Sequence, residues 1–176
     1  TRRPDGRGAA PRIRSCADDP GSGDKRVPYE GGMVDGLVEA LRRAGARDGM
    51  CLSTHHHFRN GDLVANALFE AAAELGLKDL VWFPSSVFPC HEPIIGHMER
   101  GTVRHIEAGL NGTVGAWVSR GHMPRPGAVP SHGGRSLAIK GGERPIQLAA
   151  IAAPAAAVFR TAHGVVGPNR CRPPRF

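Results

Sequence analysis

The chain has 176 residues and a formal net charge of +7, a length that suits one domain with a sizeable core. No apolar run is long enough to cross a membrane, and the Arg- and Pro-rich start lacks the apolar stretch of a secretory signal, so the expectation is a cytoplasmic protein with no membrane partner. The charge does not argue for nucleic acid: residues 1–30 carry seven Lys/Arg against five Asp/Glu, residues 160–176 four against none, and residues 31–159 twelve against eleven, so the excess sits in the tails, and no basic-aromatic-basic pattern offers a stacking platform.

Cys16, Cys51, Cys90 and Cys171 form no CxxC pair, which argues for reduced thiols rather than a disulfide framework or a zinc module. The chain starts at Thr1 without a methionine, and a fragment of a longer protein is expected.

Residues 1–32 hold Pro4, Pro11, Pro20 and Pro28 among many Gly, Arg and Asp, with no sustained hydrophobic period. They read as an extended or disordered arm. Val34, Leu37, Val38 and Leu41 then recur at helical spacing, Arg42 and Arg43 oppose the negative end of the dipole, and Gly45 caps the segment. After the turn Arg47-Asp48-Gly49, the run Met50 to Thr54 reads as a strand.

The stretch His55-His56-His57-Phe58-Arg59-Asn60-Gly61-Asp62 follows that strand and precedes a second helix. A loop between a strand's carboxyl end and a helix's amino end is where open α/β folds bind anions. Side chains alternate along a strand, so at most two of the three imidazoles are expected to serve one ligand. A metal role is the weaker functional reading, because no carboxylate or cysteine lies nearby at a standard ligand spacing. Metal-free protein would remove it.

Asp62 is a candidate N-cap, Val64, Ala67, Leu68, Ala71 and Leu75 repeat helically, and Gly76 ends the helix. Leu80 to Phe83 is a continuous apolar run of the kind buried on both faces of a parallel sheet. It leads into a second loop, Ser85-Ser86 through Glu92, and Pro93 suits the first turn of a short helix bearing Ile94, Ile95 and Met98. Val103 to Glu107 alternates as a strand near an edge, and a helix through Trp117 and Val118 follows.

Beyond a Pro/Gly-rich stretch, Ser131-His132-Gly133-Gly134-Arg135-Ser136 reads as a further loop. Gly133 and Gly134 let the backbone approach a ligand, and Arg135 is able to fork onto a carboxylate or phosphate; the plain alternative is a turn with an exposed arginine. Ile146 to Ala153 reads as a buried strand ended by Pro154. The alternation of strand and helix predicts an α/β fold with an open, mostly parallel sheet, whose strand-end loops converge on one rim.

Together the blocks Arg47-Asp48-Gly49-Met50, His55 to Asp62, Lys78-Asp79-Leu80, Ser85-Ser86, Phe88 to Pro93 and His132 to Arg135 resemble, in order and spacing, the citrate lyase alpha subunit family. The arm segment Ile13 to Ala17 resembles what precedes that domain. The likeness runs from about residue 10 to 155. It implies a CoA-transferase-like fold (NagB/RpiA/CoA-transferase type), incomplete here, and a citrate CoA-transferase activity that exchanges the acetyl group of an acetyl thioester for citrate. The implied partners are a beta subunit that cleaves the citryl thioester to oxaloacetate and an acyl carrier gamma subunit bearing a group derived from dephospho-CoA. No bound cofactor is expected in this chain.

Under that resemblance the candidate catalytic residues are His55, His56, His57 and Arg59, with no choice among the histidines and no nucleophile assigned. The candidate substrate- and thioester-binding residues are Asn60, Gly61, Ser85, Ser86, His132, Gly133, Gly134 and Arg135, and no metal ligands are assigned. Residues 33–157 are expected to form the first part of one transferase-like domain, and residues 158–176 a tail that departs from the family pattern through a reading-frame error or truncation. The competing expectation is an inactive piece that only helps assemble the complex.

Overall fold

The computed structural model describes residues 32–123, 131–156 and 162–163. The expectations for the arm and the tail fall almost wholly outside them. Four parallel strands, β1 (Cys51–His55), β2 (Leu80–Trp82), β3 (Val103–Ile106) and β4 (Leu148–Ile151), form a sheet in the order β3-β2-β1-β4. Five helices accompany them: α1 (Leu37–Arg43), α2 (Val64–Glu74), α3 (Ile94–Glu99), α4 (Gly112–Ser119) and α5 (His132–Lys140). Residues 155–156 and 162–163 pair as a short antiparallel ladder, β5 and β6.

Helix α2 carries the chain from β1 to β2 and α3 carries it on to β3, always toward the same edge. The chain then returns through α4 and α5 to place β4 on the far side of β1. That reversal makes the carboxyl ends of β1 and β4 a topological switch point, where open parallel sheets hold their ligands.

The core lies on the α2 and α3 side. Ala65, Leu68, Phe69 and Ala72 of α2 pack with Leu52, Leu80, Trp82, Ile94 and Ile106 in one cluster, and the small alanines let the helix approach the sheet closely. Phe69 meets Trp82 edge-on with ring centroids 5.6 Å apart, a favoured aromatic geometry. Central strand β1 is buried on both faces from Cys51 to Thr54, as expected where strands flank it on either side.

Strand β4 departs from expectation. Its apolar composition predicts burial, but it lies at a sheet edge and alternates, with Leu148 and Ala150 half-buried and Ala149 and Ile151 exposed. Alanine is small enough to be tolerated on either side, so composition alone could not distinguish an edge from a centre. Strand β3, read as near an edge, does lie at one.

At the amino rim, the quoted blocks close turns. The Asp48 carboxylate accepts the Lys78 N–H at 2.8 Å, the Lys78 ammonium reaches the Arg100 carbonyl at 3.2 Å, and Asp79 takes a left-handed φ of 58°. Within the core, the Trp82 Nε1–H donates to Thr54 Oγ1 at 3.0 Å. Thr54→Val keeps the shape and strands that buried donor, and is expected to destabilise the fold by about 1–3 kcal/mol. A lowered urea midpoint that Thr54→Ser restores is the check; an unchanged midpoint would remove this bond from the list of stabilising contacts.

Candidate functional site

At the end of β1 the chain leaves extended geometry at once. The His57 N–H donates to the His55 carbonyl and the Arg59 N–H to the His56 carbonyl, both at 3.1 Å. This tight turn gathers all three rings: His55 stacks on His56 with centroids 4.8 Å apart and planes 10° apart, and His57 lies 4.4 Å from His55. Strand alternation ends with β1 at His55, so it does not set the directions of the His56 and His57 rings. Arg59 adopts a left-handed φ of 58°, uncommon for a residue with a Cβ.

Asp62 is almost fully buried and anchors the loop at both ends. Its carboxylate accepts the Phe58 N–H at 3.1 Å and the Val64 N–H at 3.3 Å, the latter at the start of α2. Gly61 is not an approach point as expected: its N–H is spent on the Phe58 carbonyl at 3.1 Å, and its φ is not left-handed.

The β2 loop locks onto the first. The Ser85 N–H continues the ladder to the Thr54 carbonyl, and Ser85 Oγ lies 2.6 Å from His56 Nδ1 and 3.3 Å from the His56 N–H. Asn60 Oδ1 accepts the Cys90 N–H at 3.0 Å. His91, buried at 3% exposure, accepts the Phe88 N–H at Nδ1 and so donates from Nε2 to the Asp62 carbonyl at 3.1 Å. Both its nitrogens are committed, which fixes a neutral tautomer. Ser86 is half-buried and makes no side-chain hydrogen bond among the described residues.

The Ser131–Ser136 loop is corrected to the start of a helix. Ser131 caps α5, its Oγ accepting the Gly134 N–H at 2.9 Å. A serine cap contributes about 1 kcal/mol, which offsets roughly the cost of one helical glycine. Gly133 and Gly134 thus serve the first turn of α5, and His132 and Gly133 are exposed there without reaching the His loop.

Arg135 binds beside that loop, at β1 and the end of β2. One guanidinium nitrogen donates to the Phe83 and Pro84 carbonyls at 3.2 and 3.5 Å, the other to Ser53 Oγ at 2.7 Å, and the group lies 4.2 Å over the Phe83 ring. Ser53 points to the opposite sheet face from Leu52 and Thr54, so Arg135 ties α5 to the carboxyl rim on that face. The expected convergence of three segments holds for His55, His56, His57, Arg59, Asn60, Ser85 and Arg135, and not for His132 and Gly133. Sequence reading missed Ser53 and His91, since nothing local marks partners that lie 29 or 82 residues away.

Electrostatically the rim sets the Arg59 and Arg135 guanidinium groups beside imidazoles that burial holds below their ordinary value. Burial, then the neighbouring His55 and Arg59, push His56 down to about 4. Burial, then His57 and Arg135, lower His55, and burial lowers His91. The Cys51 thiol is raised to about 11 by burial and Cys90 is raised by the same cause, so neither is an activated nucleophile at neutral pH. Among the described residues no three His, Cys, Asp or Glu side chains are placed to hold a metal ion. Hydrogen-bond donors and cations at strand ends suit an anionic, carboxylate-bearing ligand.

Comparison with known proteins points the same way. The family profile described as citrate lyase, alpha subunit (CitF) matches residues 30–173. The citrate lyase alpha chains of Klebsiella pneumoniae and Haemophilus influenzae are each 40% identical over 140 residues, which is 79% of this chain and 28% of theirs. A crystal structure from Streptococcus mutans, described as the alpha subunit of citrate lyase in complex with citrate, superposes with a TM-score of 0.77 at 38% identity, over 82% of this chain and 28% of that one. The chain thus spans little more than a quarter of the length of these relatives. With the matched segment covering most of its length, the chain belongs to the citrate lyase alpha subunit family.

Proposed function

We propose that this chain contributes to a citrate CoA-transferase reaction, in which citrate replaces the acetyl group of an acetyl thioester carried on an acyl carrier subunit. One C–S bond breaks and another forms, and the oxygen that leaves citrate appears in acetate, so the products are citryl thioester and acetate. The carrier is a gamma subunit whose thiol belongs to a dephospho-CoA-derived group, and a beta subunit cleaves the citryl thioester to oxaloacetate. The setting is the cytoplasm.

The observation that carries this reading is the grouping of the three imidazoles and Ser85 at the end of β1, with Arg135 bonded to Ser53 of the same strand and to the Phe83 and Pro84 carbonyls next to Ser85, in a fold shared with a relative described as holding citrate. Arg59 and Arg135 supply charge for citrate carboxylates. Arg135 has five donors and uses its described bonds to fix the strand ends, so donors remain for a ligand. Neutral donors beside them suit an acyl oxygen that gains negative charge during transfer.

Incubation of the purified chain with acetyl-CoA and citrate is expected to form citryl-CoA and acetate in equal amounts, read by mass spectrometry. The competing reading, a piece that assembles without chemistry, draws on Ile151 and Leu137, exposed at 60% and 72%. Thermal stabilisation by citrate without any citryl-CoA would favour that second reading and overturn the first.

A further inference from the structure

Ser85 and His56 form a pair whose geometry selects one histidine of the three and one of its atoms. The His56 ring stacks on His55 and lies 5.2 Å from the Phe88 ring, tilted 53° to it. Its Nδ1 lies 2.6 Å from Ser85 Oγ, and the same oxygen faces the His56 backbone N–H at 3.3 Å. A hydroxyl has one proton and two lone pairs. With the backbone N–H on a lone pair, the proton is free to point at Nδ1; in that arrangement Nδ1 accepts and the ring's hydrogen sits on Nε2. Among the described residues nothing else bonds the His56 ring, and Nε2 is absent from the buried polar atoms that lack a partner. It is the one polar ring atom left for a ligand.

We propose that His56 meets the thioester's acyl oxygen as a neutral imidazole donating through Nε2–H, with Ser85 as the positioning residue that sets its tautomer. The assignment deepens the acyl-exchange reading and rests on it. A neutral donor is suited to this place because burial, the neighbouring His55 and the Arg59 guanidinium disfavour a charged imidazole there, against the pull of the Asp62 carboxylate. A donor aimed where charge develops needs no proton transfer to act, only fixed orientation. His55 and His57 differ in this respect: the Nδ1 of each is buried without a partner among the described residues, so neither has a group that selects its tautomer.

The test combines a spectrum with kinetics. Long-range proton–nitrogen correlation spectra of the 176-residue chain with ¹⁵N-labelled histidine, with His56 assigned through its loss in His56→Gln, are expected to show Nε2 protonated and Nδ1 bare at pH 7. Ser85→Ala should shift this signal toward a tautomer mixture and Ser85→Thr should restore it. A wild-type spectrum with the proton on Nδ1, or one that Ser85→Ala leaves unmoved, overturns the assignment, and the first of these needs no variant of Ser85 to fold.

In citryl-CoA formation, His56→Gln should lower kcat about 100-fold or more and Ser85→Ala about 10-fold, each with KM little changed. A loss confined to KM overturns the donor role. No product from the wild-type chain overturns acyl exchange and the donor's substrate with it, whereas the spectrum reports on Ser85 and His56 without any substrate, so the two failures are distinguishable.

Discussion

Arg135→Ala is expected to lower the melting temperature by about 6–12 °C, the counterpart of roughly 3 kcal/mol in a domain of this size. The half-buried guanidinium bridges elements far apart in sequence: α5 supplies it, β1 receives it at Ser53, and the end of β2 receives it at the Phe83 and Pro84 carbonyls. Alanine leaves two carbonyls and a hydroxyl short of a partner and removes the stem from the Phe83 ring. Unmade bonds to partly buried groups cost about 1–3 kcal/mol each where water cannot replace the donor, less where it can. Arg135→Lys keeps the charge but not the fork, so an intermediate loss is expected, with one of the three acceptors served. Citrate binding should fall in both variants and further in the alanine one, read as a smaller citrate-induced rise in melting temperature. A change below about 2 °C in Arg135→Ala would mean that α5 is held by other contacts and that the arginine is free for a ligand alone.

How this arginine arrives at the site explains what the sequence could and could not reveal. Period-2 and period-3.6 patterns depend on burial within a segment, so β1, β2, β3, α1 and α2 were legible from Leu52, Trp82, Ile106, Leu41 and Leu68, all of them core residues. The His loop was legible because a cluster of imidazoles after a strand is rare and the family motif is long. The partners that fix those imidazoles were not. Asp62 read as the N-cap of α2, but Leu63 takes that position; Asp62 lies one residue earlier, accepts the Val64 N–H, and with its second oxygen and its carbonyl serves Phe58 and His91, which no local pattern announces. The head of α5 was misread because Gly133-Gly134 signals a turn more strongly than Ser131 signals a cap.

Melting temperature is expected to fall steeply as pH drops from about 6.5 to 5, before the ordinary carboxylate range is reached. His55, His56, His91 and His97 all bind a proton less readily when folded, burial being the first cause for each. Between the ordinary imidazole value near 6.5 and the lower folded value the unfolded chain holds more protons. Stability in that window therefore rises with pH; it is fully present above about pH 7 and is lost as pH falls toward the folded values, with His56, at about 4, marking the lower end. Each group adds a slope of up to about 1.4 kcal/mol per pH unit while only its unfolded form is protonated. At His97 the Glu70 carboxylate at 3.2 Å opposes the effect of burial and of Arg100, as Asp62 opposes burial at His91. His91 has the clearest structural reason to contribute: a proton on Nδ1 would expel the Phe88 N–H and loosen the join between the two loops. His91→Asn is expected to destabilise the fold at pH 7 and flatten the slope between pH 6.5 and 5. A melting temperature that stays level across this interval would mean that the loops open to water without unfolding, and that the neutral imidazoles at the rim are protonated in place.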